Sequence, residues 1–284
     1  MTQIPESELI LNADGSVYHL HLHPDQIGEI IFTVGDPERV PEVSKYFDRI
    51  DFKVAKREFI THTGWMGDRK VSAMSTGMGT DNVEIFMTEL DALVNIDLKT
   101  RLIKPVHTSL QIVRLGTSGT IHADIPVGSF LASETAIGLD TLMQFYPDLE
   151  CDQSIAQALR KTLDLKFDPY QAEGSKSLLN QLSSDFSRGL TLTAPGFYAP
   201  QGRKLRIPAA ITQYLERLES FRFGEKRITN FEMETAGYYA MGELLGHEVL
   251  SLNAILANRA TGEFDKKAEK TVDLMISAAL KLLL

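Results

Sequence analysis

"EIIFTVGDPERV", residues 29–40, decides how this chain folds. "EIIFTV" is a short run of β-forming apolar residues, read as a buried strand, and it passes directly into "GDPERV". There Gly35 turns the chain and Pro37 suits the first position of a helix. Outward from this unit the same alternation recurs. "LQIVRLGTSG" (110–119) reads as a second strand ending in small residues, and "EVLSLNAILANR" (248–259) as another buried strand. "REFITHTGWMGDRKVSAMSTGMG" (57–79) reads as a hairpin around Gly64 and Gly67–Asp68, then a strand ending in a Gly-rich turn.

Between the strands lie helical patterns. "TDNVEIFMTELDALVN" (80–95) spaces Val83, Phe86, Met87, Leu90 and Leu93 at helical intervals, with Thr80, Asp81 or Asn82 as caps. Helices are also expected over 154–165, from Pro208 to Leu218, and through the amphipathic tail "DKKAEKTVDLMISAALKLLL". Strands alternating with helices mark an α/β protein. No Pro/Ser-rich linker, repeat or low-complexity segment interrupts the chain, so residues 1–284 are expected to form one domain. The connection "DLKTRLIKPVHTSLQ" (97–111) is long and basic and is expected to be an exposed excursion.

The chain has 284 residues, 43% of them hydrophobic, which is enough for a sizeable core. Its net charge of −9 opposes general nucleic-acid binding but leaves room for a small phosphate site made by local arginines. Cys151 is the only cysteine, which excludes an internal disulfide and a cysteine-based metal cluster. The N-terminus carries early acids and no long apolar stretch, and the apolar tail is too short to span a bilayer. A cytoplasmic setting without a membrane partner is the expectation.

Two stretches combine glycine, small polar residues and a nearby arginine: Gly35 with Arg39, and Arg114 with Gly116, Thr117 and Ser118. Glycine lets backbone N–H groups approach an oxyanion, and hydroxyls and guanidinium forks complete such a site. The alternative for each is a strand-ending turn with a surface arginine. Neither has the spacing of an NTP-binding loop, and the Gly-rich "STGMGTDN" (75–82) has no downstream acid for a dinucleotide. "NFEMETAGYYAM" (230–241) sets Glu232 and Glu234 where a strand gives way to a helix. They either complement the helix dipole or accept hydrogen bonds from vicinal sugar hydroxyls. His19, His21 and His23 alternate in "HLHLH" and would share a face on a strand; with no carboxylate nearby to complete a site, no metal is expected there. "GFYAPQGRK" (196–204) offers a flat apolar face, an amide and a guanidinium, with no acid, histidine or cysteine.

Taken in order, "VYHL", "GDPERV", "REF", "STGMG", "RLGTSG", "FYAPQGR", "FEMETA" and "NR" resemble the nucleoside phosphorylase family of the purine/uridine type, most closely its uridine-cleaving members. The resemblance implies a single α/β domain built round a distorted mixed sheet flanked by helices, and a homo-oligomer, a hexamer built of dimers that share active sites. It implies a pentosyltransferase that converts a nucleoside and inorganic phosphate into free base and ribose 1-phosphate, with phosphate as co-substrate and no cofactor. Gly35, Arg39, Arg114 and Thr117 fall on the family's phosphate ligands, and Arg57 on an arginine lent by the dimer partner. Met233 and Glu234 match ribose contacts, and His19 a partner-chain histidine near the 5′-hydroxyl. Phe197 would pack on the base while Gln201 and Arg203 bond the edge of uracil; Arg114, Glu234 and Arg203 are the expected catalytic set. Purine-preferring members hold an aspartate near the end of the late strand, where this chain reads "ILANR" with Asn258 and Arg259. Some members hold a monovalent cation at the dimer interface; Glu58 matches, whereas "GTDN" departs from their glycine, proline and serine. The other readings are a phosphorylase of purine nucleosides or thymidine, a nucleosidase, or a non-catalytic nucleoside-binding protein.

Overall fold

The computed structural model describes residues 2–284. In chain order the elements are β1 (Ile30–Val34), α1 (Val40–Ser44), β2 (Arg49–Lys56), β3 (Phe59–Met66), β4 (Arg69–Ser75), α2 (Thr80–Asn95), β5 (Ile96–Asp97), β6 (Leu102–Ile103), β7 (Gln111–Thr120) and β8 (Phe130–Gly138). There follow α3 (Ser154–Leu163), β9 (Tyr170–Glu173), α4 (Lys176–Leu179), β10 (Phe186–Thr193), α5 (Tyr214–Ser220), β11 (Ile228–Glu232), α6 (Thr235–Leu245), β12 (Glu248–Asn258), β13 (Glu263–Phe264) and α7 (Ala268–Leu283).

Eleven strands form one mixed sheet in the order β13-β12-β8-β10-β11-β7-β1-β4-β3-β2, with β9 added beside β8. The expected α/β architecture and distorted mixed sheet are present, and the distortion has a definite form. β12 pairs in parallel with β7 as well as antiparallel with β8, so β7, β12, β8, β10 and β11 close into a ring. The last seam is thin: β11 meets β7 antiparallel at Phe231 and Gly119.

Helices cover both faces, so the central strands read as unbroken apolar runs. Along β1 and β7 the side chains alternate: Ile31 and Ile112 pack with Phe86, Met87 and Leu90 of α2 and Tyr238 of α6. Phe32 and Val113 pack on the other side with Val40 and Val43 of α1 and Ile276 and Leu280 of α7. A third cluster joins α3 and α5 to Ile137, Leu192 and Phe231. Among the described residues no helix is long and apolar enough to cross a membrane.

Several local expectations are corrected. β7 matches the expected 110–119 strand to within one residue at each end, and it is the turn alternative that fails: Gly116 and Gly119 sit inside the strand, paired with β12. Gly64 likewise lies within β3, where a Cβ would overlap the Arg49 carbonyl, and the turn is at Gly67, with φ 57°. Helix α2 is preceded by Gly79 at φ 95°, and none of Thr80, Asp81 or Asn82 caps it through a side chain. The helix expected from Pro208 starts only at Tyr214, after Gln213 in a left-handed conformation. "HLHLH" is a turn rather than a strand, with His21 at φ 56°. The 97–111 connection is largely exposed, as expected, and carries the two-stranded ribbon of β5 and β6.

Candidate active site

Arg114 rises from the middle of β7 into the interior, with only 6% of its side chain exposed. A buried guanidinium must find partners, and this one has them on both sides. One terminal nitrogen meets Glu234 Oε2 at 2.6 Å and Glu232 Oε2 at 3.2 Å; the other donates to Asn253 Oδ1 at 3.1 Å and Ser251 Oγ at 3.4 Å. Gly116 makes this possible, since a Cβ there would overlap the guanidinium. Burial opposes the charge of Arg114, but Glu232 and Glu234 more than offset it and hold the group above its ordinary range. Burial, aided by Glu232, pushes Glu234 up against the opposing pull of Arg114 and the Gly79 amide.

The two glutamates divide their tasks. Glu232 ends β11, takes the Thr193 hydroxyl at 2.5 Å, and accepts the backbone N–H groups of Glu234 and Thr235 at 2.9 Å each. It therefore satisfies free donors at the start of α6, the helix-dipole reading of the sequence. Glu234 turns outward to the Gly-rich turn, where the Gly79 N–H donates to its Oε1 at 2.8 Å. Met233, half-buried, lies between them.

The Gly35–Arg39 turn closes one side. Asp36 caps the short 3-10 turn Pro37–Arg39 through the Glu38 N–H, and a Cβ on Gly35 would lie 3.3 Å from the Gly77 carbonyl. Arg39 is half-buried, and among the described residues no carboxylate lies within 4.0 Å of it. Burial lowers its pKa, Asp36 pulls it back up, and Arg114 adds to the fall. Two guanidinium groups close enough to perturb each other, Arg39 without an ion-pair partner among the described residues, could together hold an anion. Thr117, half-buried, lies three residues beyond Arg114 in β7, paired with Ala254 of β12.

The 196–203 loop brings its three expected residues together. Gln201 is buried, and its Oε1 accepts Arg203 Nη1 at 2.8 Å. The Arg203 guanidinium lies 3.7 Å from the centre of the half-exposed Phe197 ring. Gly202 at φ 71° reverses the chain there. Arg259 fastens the loop from below, donating to the Gln201 and Gly202 carbonyls at 3.2 and 3.4 Å.

His19 and Arg57 lie apart from this cluster. His19 Nδ1 contacts Glu89 at 2.6 Å, and Arg57, exposed at φ 55° between β2 and β3, sits 5.9 Å from the Tyr18 ring. Glu58 packs its side chain near Gly77. A carboxylate does lie near the other two histidines, contrary to expectation: His21 and His23 face the same Asp14 oxygen at 3.1 and 4.0 Å, while His19 turns to Glu89. One group with metal-ligand spacing, not singled out in the sequence, joins Asp91, His107 and His247. There the Leu110 N–H donates to His247 Nδ1 at 3.2 Å, which leaves the ring proton of neutral His247 on Nε2, facing Asp91. That proton occupies the lone pair a metal would need.

The sequence reading also missed Ser251 and Asn253, which sit inside an apolar run. Their polar types at a spacing of two within a buried strand were the available signal.

A family model described as the phosphorylase superfamily matches residues 29–284. The chain belongs to that family. Within the phosphorylase superfamily it is 30% identical over 273 residues to a uridine phosphorylase of Thermococcus kodakarensis, covering 95% of this chain and 87% of that protein. It is 26% identical over 275 residues to a uridine phosphorylase of Haemophilus influenzae, covering 94% and 98%. The fold is similar to a solved Trypanosoma brucei nucleoside phosphorylase described as showing uridine phosphorylase activity. There the TM-score is 0.87 at 26% identity, with 96% of this chain and 99% of that one aligned.

Proposed function

We propose that this phosphorylase-superfamily chain is a uridine phosphorylase, cleaving uridine, and deoxyuridine as well, with inorganic phosphate as co-substrate and no cofactor. The observation that carries this reading is the base loop. Phe197, Gln201 and Arg203 form one donor-rich cluster with no side-chain acid among its hydrogen-bond partners. Where purine-cleaving relatives hold an aspartate, Asn258 spends its amide on the His122 and Ile125 carbonyls and its oxygen on the Ala260 and Thr261 amides.

The chemistry follows from these placements. Phosphate sits against Gly35, Arg39, Arg114 and Thr117, and one of its oxygens forms the new bond to C1′. Glu234 retains free lone pairs beyond those used by Arg114 and Gly79, enough to accept the ribose hydroxyls beside Met233. As the C1′–N1 bond breaks, its electron pair moves onto uracil. Gln201 and Arg203 then face the charge that develops on the leaving base, so a proton donor is not required. A base stacking on Phe197 displaces the Arg203 guanidinium from that ring toward the base edge.

His19 and Arg57, remote from their own chain's cluster, complete the ribose and phosphate sites of a partner subunit in a dimer, with dimers assembling into a hexamer. Mixing an Arg57→Ala chain with an inactive Glu234→Ala chain should therefore restore activity by forming hybrid sites. Fully active monomers after dissociation would remove the shared-site assignment.

Product analysis tests the activity itself. With uridine and phosphate the expected products are uracil and ribose 1-phosphate, and omission of phosphate should stop turnover. Uracil release without phosphate would make the protein a nucleosidase, and binding without turnover a nucleoside-binding protein.

A further inference from the structure

The interior of the strand ring is lined by a chain of buried hydrogen bonds that crosses all five strands. On β12, Ser251 and Asn253 point the same way, aligned with Arg114 and Gly116 of β7 in the parallel register. Asn253 Nδ2 lies 3.4 Å from Ser133 Oγ of β8 and 3.2 Å from Ser251 Oγ. Ser133 Oγ is 2.5 Å from Thr191 Oγ1 of β10, and Thr191 donates to Asn230 Oδ1 of β11 at 2.8 Å. Asn230 Nδ2 closes the circuit on Ser118 of β7 at 3.0 Å. All of these residues except Arg114 and Ser118 are fully buried, and those two are at most 8% exposed.

The belt has a direction. Thr191 commits its proton to Asn230, so Ser133 must donate to Thr191 and is left to accept from the Asn253 amide. With its N–H₂ group spent on Ser133 and Ser251, Asn253 presents only its carbonyl oxygen toward Arg114. The place where a Cβ of residue 116 would stand is the place the guanidinium occupies on its way to that oxygen.

We propose that Asn253 is a positioning residue for phosphate use: its oxygen, oriented by the hydrogen-bond belt, anchors the far nitrogen of Arg114 so that the guanidinium is held at a fixed angle to the anion. This rests on Arg114 being a phosphate ligand. The ion pair with Glu234 fixes one end of the fork only, and Asn253 fixes the other through a bond shorter than that to Ser251. A fork held at both ends presents its remaining N–H groups in one direction without further ordering when phosphate arrives.

The test compares Asn253→Ala, Asn253→Ser and Asn253→Asp with wild type and Arg114→Ala, varying phosphate and uridine separately. Asn253→Ala should raise the KM for phosphate by roughly tenfold, the size of one hydrogen bond to a charged group, while the KM for uridine stays within about twofold. Asn253→Ser keeps an acceptor and should recover most of that loss. Asn253→Asp keeps the shape but adds a third carboxylate, so its phosphate KM should rise further and improve as the pH is lowered and the new acid is protonated. If Asn253→Ala and Asn253→Asp leave phosphate KM at the wild-type value while Arg114→Ala raises it, the anchoring role is overturned and the phosphate site stands. Equal changes in the uridine and phosphate constants, tracking a lowered Tm, would likewise make Asn253 a structural residue only. An Arg114→Ala enzyme with unaltered phosphate kinetics would overturn the phosphate site and this inference together.

Discussion

Arg114→Ala should lose phosphorolysis by roughly 10²- to 10⁴-fold in kcat/KM for phosphate, the equivalent of two charge-assisted bonds. Both kcat and KM should suffer, because the same oxygens that Arg114 holds in the ground state attack the sugar in the transition state. Steady-state rates at varied phosphate decide this, and unchanged constants would remove Arg114 from the reacting centre. The variant should also be less stable, by about 3–5 kcal/mol, since Glu232 and Glu234 remain buried without their counter-charge. That loss has a pH signature. Burial already raises Glu234, and removing Arg114 takes away an opposing pull, so its folded pKa rises further above the unfolded value of about 4.3. A carboxyl raised in the folded state gives stability that is present below the unfolded pKa and is lost as pH rises through the folded one. The Tm deficit of Arg114→Ala should therefore be larger at alkaline than at mildly acidic pH; a deficit independent of pH would contradict it.

The wild-type enzyme should favour uridine over inosine or adenosine by about 10³-fold or more in kcat/KM. Gln201 and Arg203 make bonds that a purine edge does not satisfy in the same geometry, and leaving both unpaired beneath a bound base costs several kcal/mol. Arg203→Ala should lose kcat as well as affinity for uridine, because its bond strengthens as charge moves onto the leaving base. An arginine that merely tethers the loop through the Phe197 carbonyl and Gln201 would instead leave kinetics near wild type and lower Tm slightly. A wild type that prefers purines would refute the base assignment and leave the family unchanged.

What the sequence discloses tracks what kind of residue lines each surface. β1, β12 and α2 are legible because their buried faces are apolar, and the apolar period survives in one dimension. β8 and β10 are not, because their inward positions include Ser133, Thr191 and Thr193, which bury hydroxyls in the belt and in the Glu232 cluster. Gly116 is visible as a glycine, but its reason is visible only in three dimensions, where the side chain two residues back folds over it. Gly35, Arg39, Arg114, Glu234, Gln201 and Arg203 could be named through family resemblance; the contact between Arg114 and Glu234, 120 residues apart in the chain, could not be read from spacing. Asn253 was hidden for the opposite reason, as a polar residue inside a run whose apolar character defined the strand.

The ring of strands also sets an order of events on the ribosome. β7 is flanked by β1 and by β12, and synthesis of β12 begins more than 120 residues after that of β7 is complete. Until then the N-terminal βα units can assemble on β4 and α2, but one side of β7 stays an open edge and Arg114 lacks both Ser251 and Asn253. Closure thus waits for β12, a long-range step of the kind that slows folding and leaves an unpaired strand edge exposed to neighbouring nascent chains. A polypeptide stopped before residue 248 would carry most of the sheet and every proposed phosphate ligand, but neither Ser251 nor Asn253 behind Arg114, so catalytic competence waits for β12.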